Sequence, residues 1–159
     1  TNTLLNAIES NHLASALLFT GPRGVGKTTC ARILARKINQ PGYDDPNEDF
    51  AFNVFELDAA SNNSVDDIRN LIVKVRIPPQ TGQYKVYIID EVHMLSKAAF
   101  NAFLKILEEP SKNVLFVLAT TEIQKIPELT DIVHSLIEKK KWSYTKTVYI
   151  NHHPTFRPL

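Results

Sequence analysis

The sequence predicts an α/β fold, with a mostly parallel sheet covered by helices on both faces. Three observations carry this. Short apolar runs bounded by turn or polar residues recur along the chain, segments of helical period lie between them, and a glycine-rich loop joins the first run to the first helix. Strands that alternate with helices in this way form parallel sheets with helical layers on either side.

The first apolar run is Leu17 to Thr20. From Gly26 to Asn39 the period becomes helical, with Cys30, Leu34 and Ile38 on one face, Arg32 and Arg36 elsewhere, and Pro41-Gly42 as a stop. Cys30 on that face reads as a core residue. The stretch "QPGYDDPNEDFAF" is acidic and turn-rich, a surface excursion, and Asn53 to Asp58 is the second strand. "SNNSVDDIRNLIVKV" opens on Ser64 as N-cap with Asp67 at capping-box spacing, then sets Ile68, Leu71, Ile72 and Val75 at helical intervals. "RIPPQTGQ" delivers the chain into the strongest strand, Lys85 to Asp90. "SKAAFNAFLKILEEP" aligns Phe100, Phe103, Leu104 and Leu107 behind a Ser96 cap and is closed by Pro110. Val114 to Thr121 is the fourth strand. The end, "KKKWSYTKTVYINHHPTFRPL", loses this rhythm, with a candidate strand at Thr145 to Ile150 and a Pro-containing tail. No internal repeat or low-complexity tract occurs.

A length of 159 residues with 43% hydrophobic content suits one compact domain. Eighteen basic against 17 acidic side chains give a net charge of +1, so no global field recruits nucleic acid, and any such contact comes from local placement of Lys and Arg. The single cysteine excludes an internal disulfide or a cysteine-rich zinc site and fits a reducing compartment. No stretch approaches the roughly 18 apolar residues of a membrane span. The start, "TNTLLNAIES", lacks the charged and apolar regions of a signal peptide. A soluble intracellular protein is expected.

The phrase "GPRGVGKT" fits the pattern G-x-x-x-x-G-K-S/T and sits after a strand and at the start of a helix, where phosphate binding requires it. Glycines let successive backbone N–H groups turn inward around an anion, and the helix N-terminus adds its positive end. Lys27 would reach the β- and γ-phosphates and Thr28 would offer its hydroxyl to Mg²⁺. A plain glycine turn explains Gly21, Gly24 and Gly26 but not the Lys-Thr pair at its fixed offset.

"KVYIID" then ends in Asp90-Glu91, and an open α/β sheet places its ligands beyond the carboxyl ends of its strands. Asp90 can hold the metal, usually through water. Glu91 can orient and polarise an attacking water, the task that separates a hydrolase from a nucleotide binder. The following strand, "NVLFVLATT", ends in Thr120 and Thr121, either of which could sense the γ-phosphate or the lytic water.

Four phrases together, "HLASALLFTGPRGVGKTTCARILA", "ELDAASNNSVDDIRNLI", "YKVYIIDEVHMLSKAAFNAFLKILEEP" and "LFVLATTE", resemble the gamma and tau ATPase subunits of bacterial DNA polymerase III clamp loaders, within the AAA+ group. The resemblance runs from about Leu4 to Pro127. It implies a P-loop NTPase three-layer sandwich over residues 1–127, followed by a divergent segment, 128–159, of one helix and one strand. It places Lys27 and Thr28 in the Walker A motif, with Gly21, Pro22, Arg23, Gly24, Val25, Gly26 and Thr29 around ATP. Asp90 and Glu91 fall in Walker B, with Thr28 and Asp90 on Mg²⁺, and Thr121, with Thr120 as the alternative, falls at sensor 1. Such proteins use ATP to open a ring-shaped sliding clamp and place it on primed DNA. The implied partners are therefore the other clamp-loader subunits, the clamp and primed DNA, with no membrane, in the bacterial cytoplasm. The related delta-prime subunit typically lacks a working phosphate loop, so the intact one favours gamma/tau.

Four departures stand out. The family's four-cysteine zinc module, expected between the first helix and second strand, is replaced by "NQPGYDDPNEDFAF", so no zinc is expected. The Ser-Arg-Cys phrase that lends an arginine to the neighbouring ATP site is replaced by "KIPELTDIVHSLIE", and no arginine occurs between Arg76 and Arg157. The adenine box would lie before Thr1, and the lid and collar beyond the end. Nothing after about Glu128 resembles the family. The isolated chain is accordingly expected to bind ATP-Mg weakly and turn over slowly.

Arg69 and Arg76 share a helix face and would either touch DNA phosphates or form a solvated basic face. Glu108 and Glu109 sit at a helix's negative end, as a subunit contact or ordinary surface. Lys139 to Lys141 read as a solvated run, and adjacent His152 and His153 do not suit a metal pair. Two other functions compete. "DEVH" followed by "ATT" imitates a DExH helicase, which needs a second motor domain that this length cannot hold. A nucleotide-dependent assembly module with little catalysis fits the absent arginine but not the intact Glu91.

Overall fold

The computed structural model describes residues 15–39, 53–79, 82–126 and 148–149. These contain β1 (Ala16–Thr20), α1 (Lys27–Asn39), β2 (Val54–Asp58), α2 (Val65–Val75), β3 (Lys85–Asp90), α3 (Lys97–Glu108), β4 (Val114–Thr120) and β5 (Val148–Tyr149), with 3-10 turns at Val92–Met94 and Ile123–Lys125. The strands form a sheet in the order β2-β3-β4-β1-β5, and every neighbouring pair is parallel. Of the expected strand at Thr145 to Ile150, the described residues are Val148 and Tyr149, which form β5 beside Phe19 and Thr20 of β1; the other four lie outside the described residues. The helix stop at Pro41-Gly42, the lysine run, His152 and His153 lie outside the described residues.

Alternation along buried strands sends successive side chains to opposite faces. Leu17 and Phe19 join Val86, Ile88, Leu115, Val117 and Ala119 beneath α1. Ala16 and Leu18 join Tyr87, Ile89, Phe116 and Leu118 beneath α2 and α3. Continuous apolar runs were needed because both faces are covered. On the second face Phe103 meets Phe116 edge-on at 5.4 Å, and Tyr87 lies between Phe116 and Phe55, with centroids at 5.6 and 4.9 Å. Fully burying each such ring contributes on the order of 2 to 3 kcal/mol. The Tyr87 hydroxyl is buried with no hydrogen-bond partner among the described residues, and burial pushes its pKa up to about 12.

Local signals set the helix starts. Ser64 Oγ accepts from Asp67 N at 3.2 Å while the Asp67 carboxylate accepts from Ser64 N at 3.1 Å, closing the expected capping box. Ser96 Oγ accepts from Ala99 N at 3.2 Å at the head of α3. Phe100, Phe103, Leu104 and Leu107 are all buried.

Cys30 corrects the sequence reading, because it is exposed. The buried stripe of α1 is Lys27, Ala31, Leu34, Ala35, Ile38 and Asn39. Two alanines let the helix approach the sheet closely and move the centre of the stripe to Ala31 and Ile38, which leaves Cys30 roughly 80 to 90° off at its margin. The helix then ends in a clamp. Buried Asn39 accepts from the backbone of Gln83 and Tyr84 at 3.0 and 2.8 Å and donates to Ala35 O at 3.1 Å, tying α1 to the approach to β3.

Candidate nucleotide-binding site

Parallel strands point their carboxyl ends the same way, so Thr20, Asp58, Asp90 and Thr120 come to one edge of the sheet. The loop leaving β1 crosses this edge before α1. Gly24 and Gly26 adopt φ of +81° and +86°, a left-handed backbone that favours glycine. Lys27 opens α1, is buried, and folds back to donate from Nζ to the carbonyls of Gly21 and Pro22, both at 3.0 Å. One residue on, Thr28 donates from Oγ1 to Asp90 Oδ2 at 2.6 Å. The other carboxylate oxygen of Asp90 accepts from Glu91 N at 2.9 Å.

Glu91 holds a left-handed conformation at φ +48° and ψ +47°. For a residue with a Cβ this costs on the order of 1 to 2 kcal/mol, and such outliers gather where a side chain must be aimed. Its Oε2 accepts from both Thr121 N and Thr121 Oγ1, at 3.2 and 3.0 Å. Thr120 is fully buried, and its Oγ1 meets His93 Nδ1 at 2.9 Å and accepts from Glu122 N at 3.0 Å.

Between these groups lies a cavity of about 770 Å³, in the range that holds small-molecule ligands. Arg23, Gly24, Gly26, Lys27, Thr28, Thr29, Asp90, Glu91 and Thr121 line it. Gly21, Pro22 and Val25 complete the loop without lining it, and Thr121 rather than Thr120 faces in. Sequence reasoning did not single out Asp58, Ala60, His93 or Met94, which also line it. Asp58 was legible only through register, since it pairs with Asp90 across β2 and β3. Its carboxylate holds the turn after β2 by accepting from Ala60 N at 2.9 Å and Ser61 Oγ at 3.0 Å. His93 sits inside the "DEVH" phrase two residues past Glu91, and its ring is 5% exposed.

Behind the site, Arg32 on α1 grips Glu56 on β2 through two bonds of 2.6 and 2.7 Å. The pair holds the Glu56 carboxyl below its ordinary range and raises the guanidinium. Arg69 pairs with Asp66 at 2.9 Å, and Arg76 caps the end of α2; both line a second groove, between α2 and α3. Glu108 and Glu109 end α3, the latter beside that groove.

Among the described residues no group of three or more His, Cys, Asp or Glu side chains could hold a metal ion. The adjoining Thr28 hydroxyl and Asp90 carboxylate nevertheless fit Mg²⁺, which keeps several waters and takes few protein oxygens beside substrate phosphates. No described helix is long and apolar enough to cross a membrane.

A parallel sheet in this order, with a glycine-rich loop between β1 and α1 and acidic residues at the tip of β3, defines an α/β fold of the P-loop AAA+ kind. Solved structures share it. A DNA polymerase III gamma subunit-related protein from Thermotoga maritima superposes with a TM-score of 0.61 at 21% identity, over 95% of this chain and 46% of that one. The Thermotoga maritima RuvB Holliday junction branch migration motor gives 0.53 at 19% identity, over 85% of this chain and 48% of its own. The sequence profile of the family described as DNA polymerase III, delta subunit, matches residues 1–130, and the chain belongs to that family. The chain is 50% identical to DNA polymerase III subunit tau of Bacillus subtilis over 139 residues, 80% of this chain and 25% of that protein. The chain therefore spans about a quarter of that relative's length.

Proposed function

We propose that the chain is the ATP-binding and ATP-hydrolysing core of a clamp-loader subunit of the gamma/tau kind, coupling ATP to the loading of a sliding clamp on primed DNA. The observation that carries this reading is the convergence of the loop lysine, the Thr28–Asp90 pair and a Glu91 held by Thr121 on one cavity. Residues 1–127 form the nucleotide-binding domain in this proposal, and the segment 128–159 adds its edge strand to the same sheet.

The geometry supports a role for each group. Glycine-loop amides and the N-terminus of α1 receive the phosphates, and Lys27 exchanges the carbonyls of Gly21 and Pro22 for phosphate oxygens. Thr28 and Asp90 would hold Mg²⁺, which would supply neutralisation of the phosphate charge. Glu91 orients a water for attack, and Thr121 holds that carboxylate in place. An arginine supplied by a neighbouring subunit contributes on the order of 10³ to 10⁵ in rate in related mechanisms. With no arginine between Arg76 and Arg157, this chain lends none to a neighbour from that stretch; its own site takes its arginine from another subunit and is slow alone.

Calorimetry with magnesium and ATP tests the binding, with Lys27→Ala as control. Heat of binding in the parent, lost in the variant, supports the reading; identical traces from both sink it. Phosphate release measured with and without partner subunits and primed DNA tests the rest. Acceleration on assembly is expected, and brisk hydrolysis by the lone chain contradicts the dependence on a borrowed arginine.

A further inference from the structure

The hydrogen-bond ladder between β3 and β4 stops at Ile89 and Leu118, short of the residues that face the cavity. Beyond it, one buried ring spans the gap. His93 stands on the turn that directly follows Glu91, and its Nδ1 lies 2.9 Å from Thr120 Oγ1 and 3.4 Å from Glu91 Oε2. Its Nε2 lies 3.4 Å from Glu122 Oε1, and that carboxylate also pairs with Lys125 at 2.7 Å. Thr120 Oγ1 in turn accepts from Glu122 N. The residues on both sides of Thr121 are thus tied to the same imidazole, and Thr121 supplies both donors that hold Glu91.

We propose that His93 is a positioning residue for Glu91, acting through Thr120 and Glu122 on the Thr121 grip. This rests on the hydrolytic reading above. The ring joins the turn that carries the carboxylate to the loop that clamps it, so both are fixed by one rigid group. A carboxylate that must meet a water in line with a phosphoryl group is sensitive to such support, because a misplacement of about 1 Å can cost about a hundredfold in rate.

Three variants test it. His93→Ala removes every bond of the ring, His93→Asn keeps a polar atom near the Nδ1 position facing Thr120, and His93→Gln reaches instead toward Glu122. For the chain assembled with partner subunits, His93→Ala is expected to lower single-turnover phosphate release by roughly tenfold to a hundredfold with nucleotide affinity within about twofold. His93→Asn is expected to recover most of that loss, and His93→Gln less. Hydrogen exchange at the Thr121 amide, which donates to Glu91, should accelerate in His93→Ala and stay slow in His93→Asn. Parent-like turnover in His93→Ala overturns the proposal, as does Asn performing no better than Ala, which marks a packing role. If the parent itself releases no phosphate, the hydrolytic reading fails. The Thr121 amide then decides the inference alone: faster exchange in His93→Ala supports the coupling, and unchanged exchange refutes it.

Discussion

Under the proposed function, replacing Glu91 by Gln isolates the one step that separates hydrolysis from binding. In the structure Oε2 takes both donors from Thr121, while Oε1 takes no hydrogen bond among the described residues, and Glu91 lines the cavity. A Gln carbonyl can occupy the Oε2 position and accept the same two bonds, so the side chain stays where it is. Its amide then stands where Oε1 stood, able to donate but not to take a proton. Lys27, Thr28 and the loop amides are untouched, so nucleotide affinity should hold. Loss of a positioned base costs typically 10² to 10⁴ in rate, which is about 2.7 to 5.4 kcal/mol of transition-state stabilisation. Thr121→Val calibrates this value from the same contact. It deletes the hydroxyl bond but keeps the amide bond, and one hydrogen bond to a charged group is worth about 1.5 to 3 kcal/mol, or roughly tenfold to 150-fold. Rapid-quench phosphate release under single-turnover conditions, beside fluorescent-nucleotide binding, should therefore rank the parent above Thr121→Val and Thr121→Val above Glu91→Gln. Wild-type hydrolysis by Glu91→Gln, or equal loss of binding and turnover, would refute the assignment of Glu91 as base.

Three predictions concern what supports the site. Asn39→Ala strips the backbone of Gln83 and Tyr84 of an acceptor, and urea unfolding should show a loss of about 2 to 4 kcal/mol with little change in slope. Gly82→Ala forces a Cβ to within 2.8 Å of Asn39 Oδ1 and Asn53 Nδ2 at φ +70°, and should cost about 1 to 3 kcal/mol. In an Asn39→Ala background that cost should shrink, and strict additivity would disprove the shared clamp. Tyr87→Phe removes a buried hydroxyl that has no partner among the described residues and should leave stability unchanged or raise it by up to about 1 kcal/mol. Because the folded pKa of Tyr87 is raised to about 12, the stability tied to its neutral form is full below the ordinary tyrosine value and is lost as pH climbs toward 12. Alkaline unfolding of the parent should show that loss and Tyr87→Phe should not; a loss on Tyr87→Phe above about 1 kcal/mol would reveal a partner for the hydroxyl.

What was legible in the sequence was what is local along the chain. The glycine-rich loop that joins β1 to α1 is one continuous stretch with its turn residues in sequence, and the Ser64–Asp67 box needs only three steps of helix. Phe100, Phe103, Leu104 and Leu107 announce a buried face by period alone. What escaped depends on distance between segments. Cys30 and Leu34 share a helical arc, yet two alanines decided which arc meets the sheet, and nothing in the helix itself says how closely it will pack. Thr120 and Thr121 are equivalent as letters. Strand alternation turns one into the core and the other toward the cavity, and the register of β4 against β1 decides which.

The same reasoning explains why His93 was invisible and why it matters. A histidine two residues beyond an acidic pair has no periodicity or spacing that assigns it a task. Its position acquires meaning only when β3 and β4 lie side by side and their ladder ends before the chemistry begins. Ladder bonds hold strands in register but do not reach a carboxylate beyond the last rung. That aim comes from groups on the turns leaving neighbouring strands, here the amide and hydroxyl of Thr121. Glu91 is held from β4 by Thr121, and Thr121 is flanked by residues that a ring from the β3 turn holds in place. The support therefore closes on itself across the tip of the sheet. A change on either turn should be felt at Glu91 before it is felt at the phosphate loop.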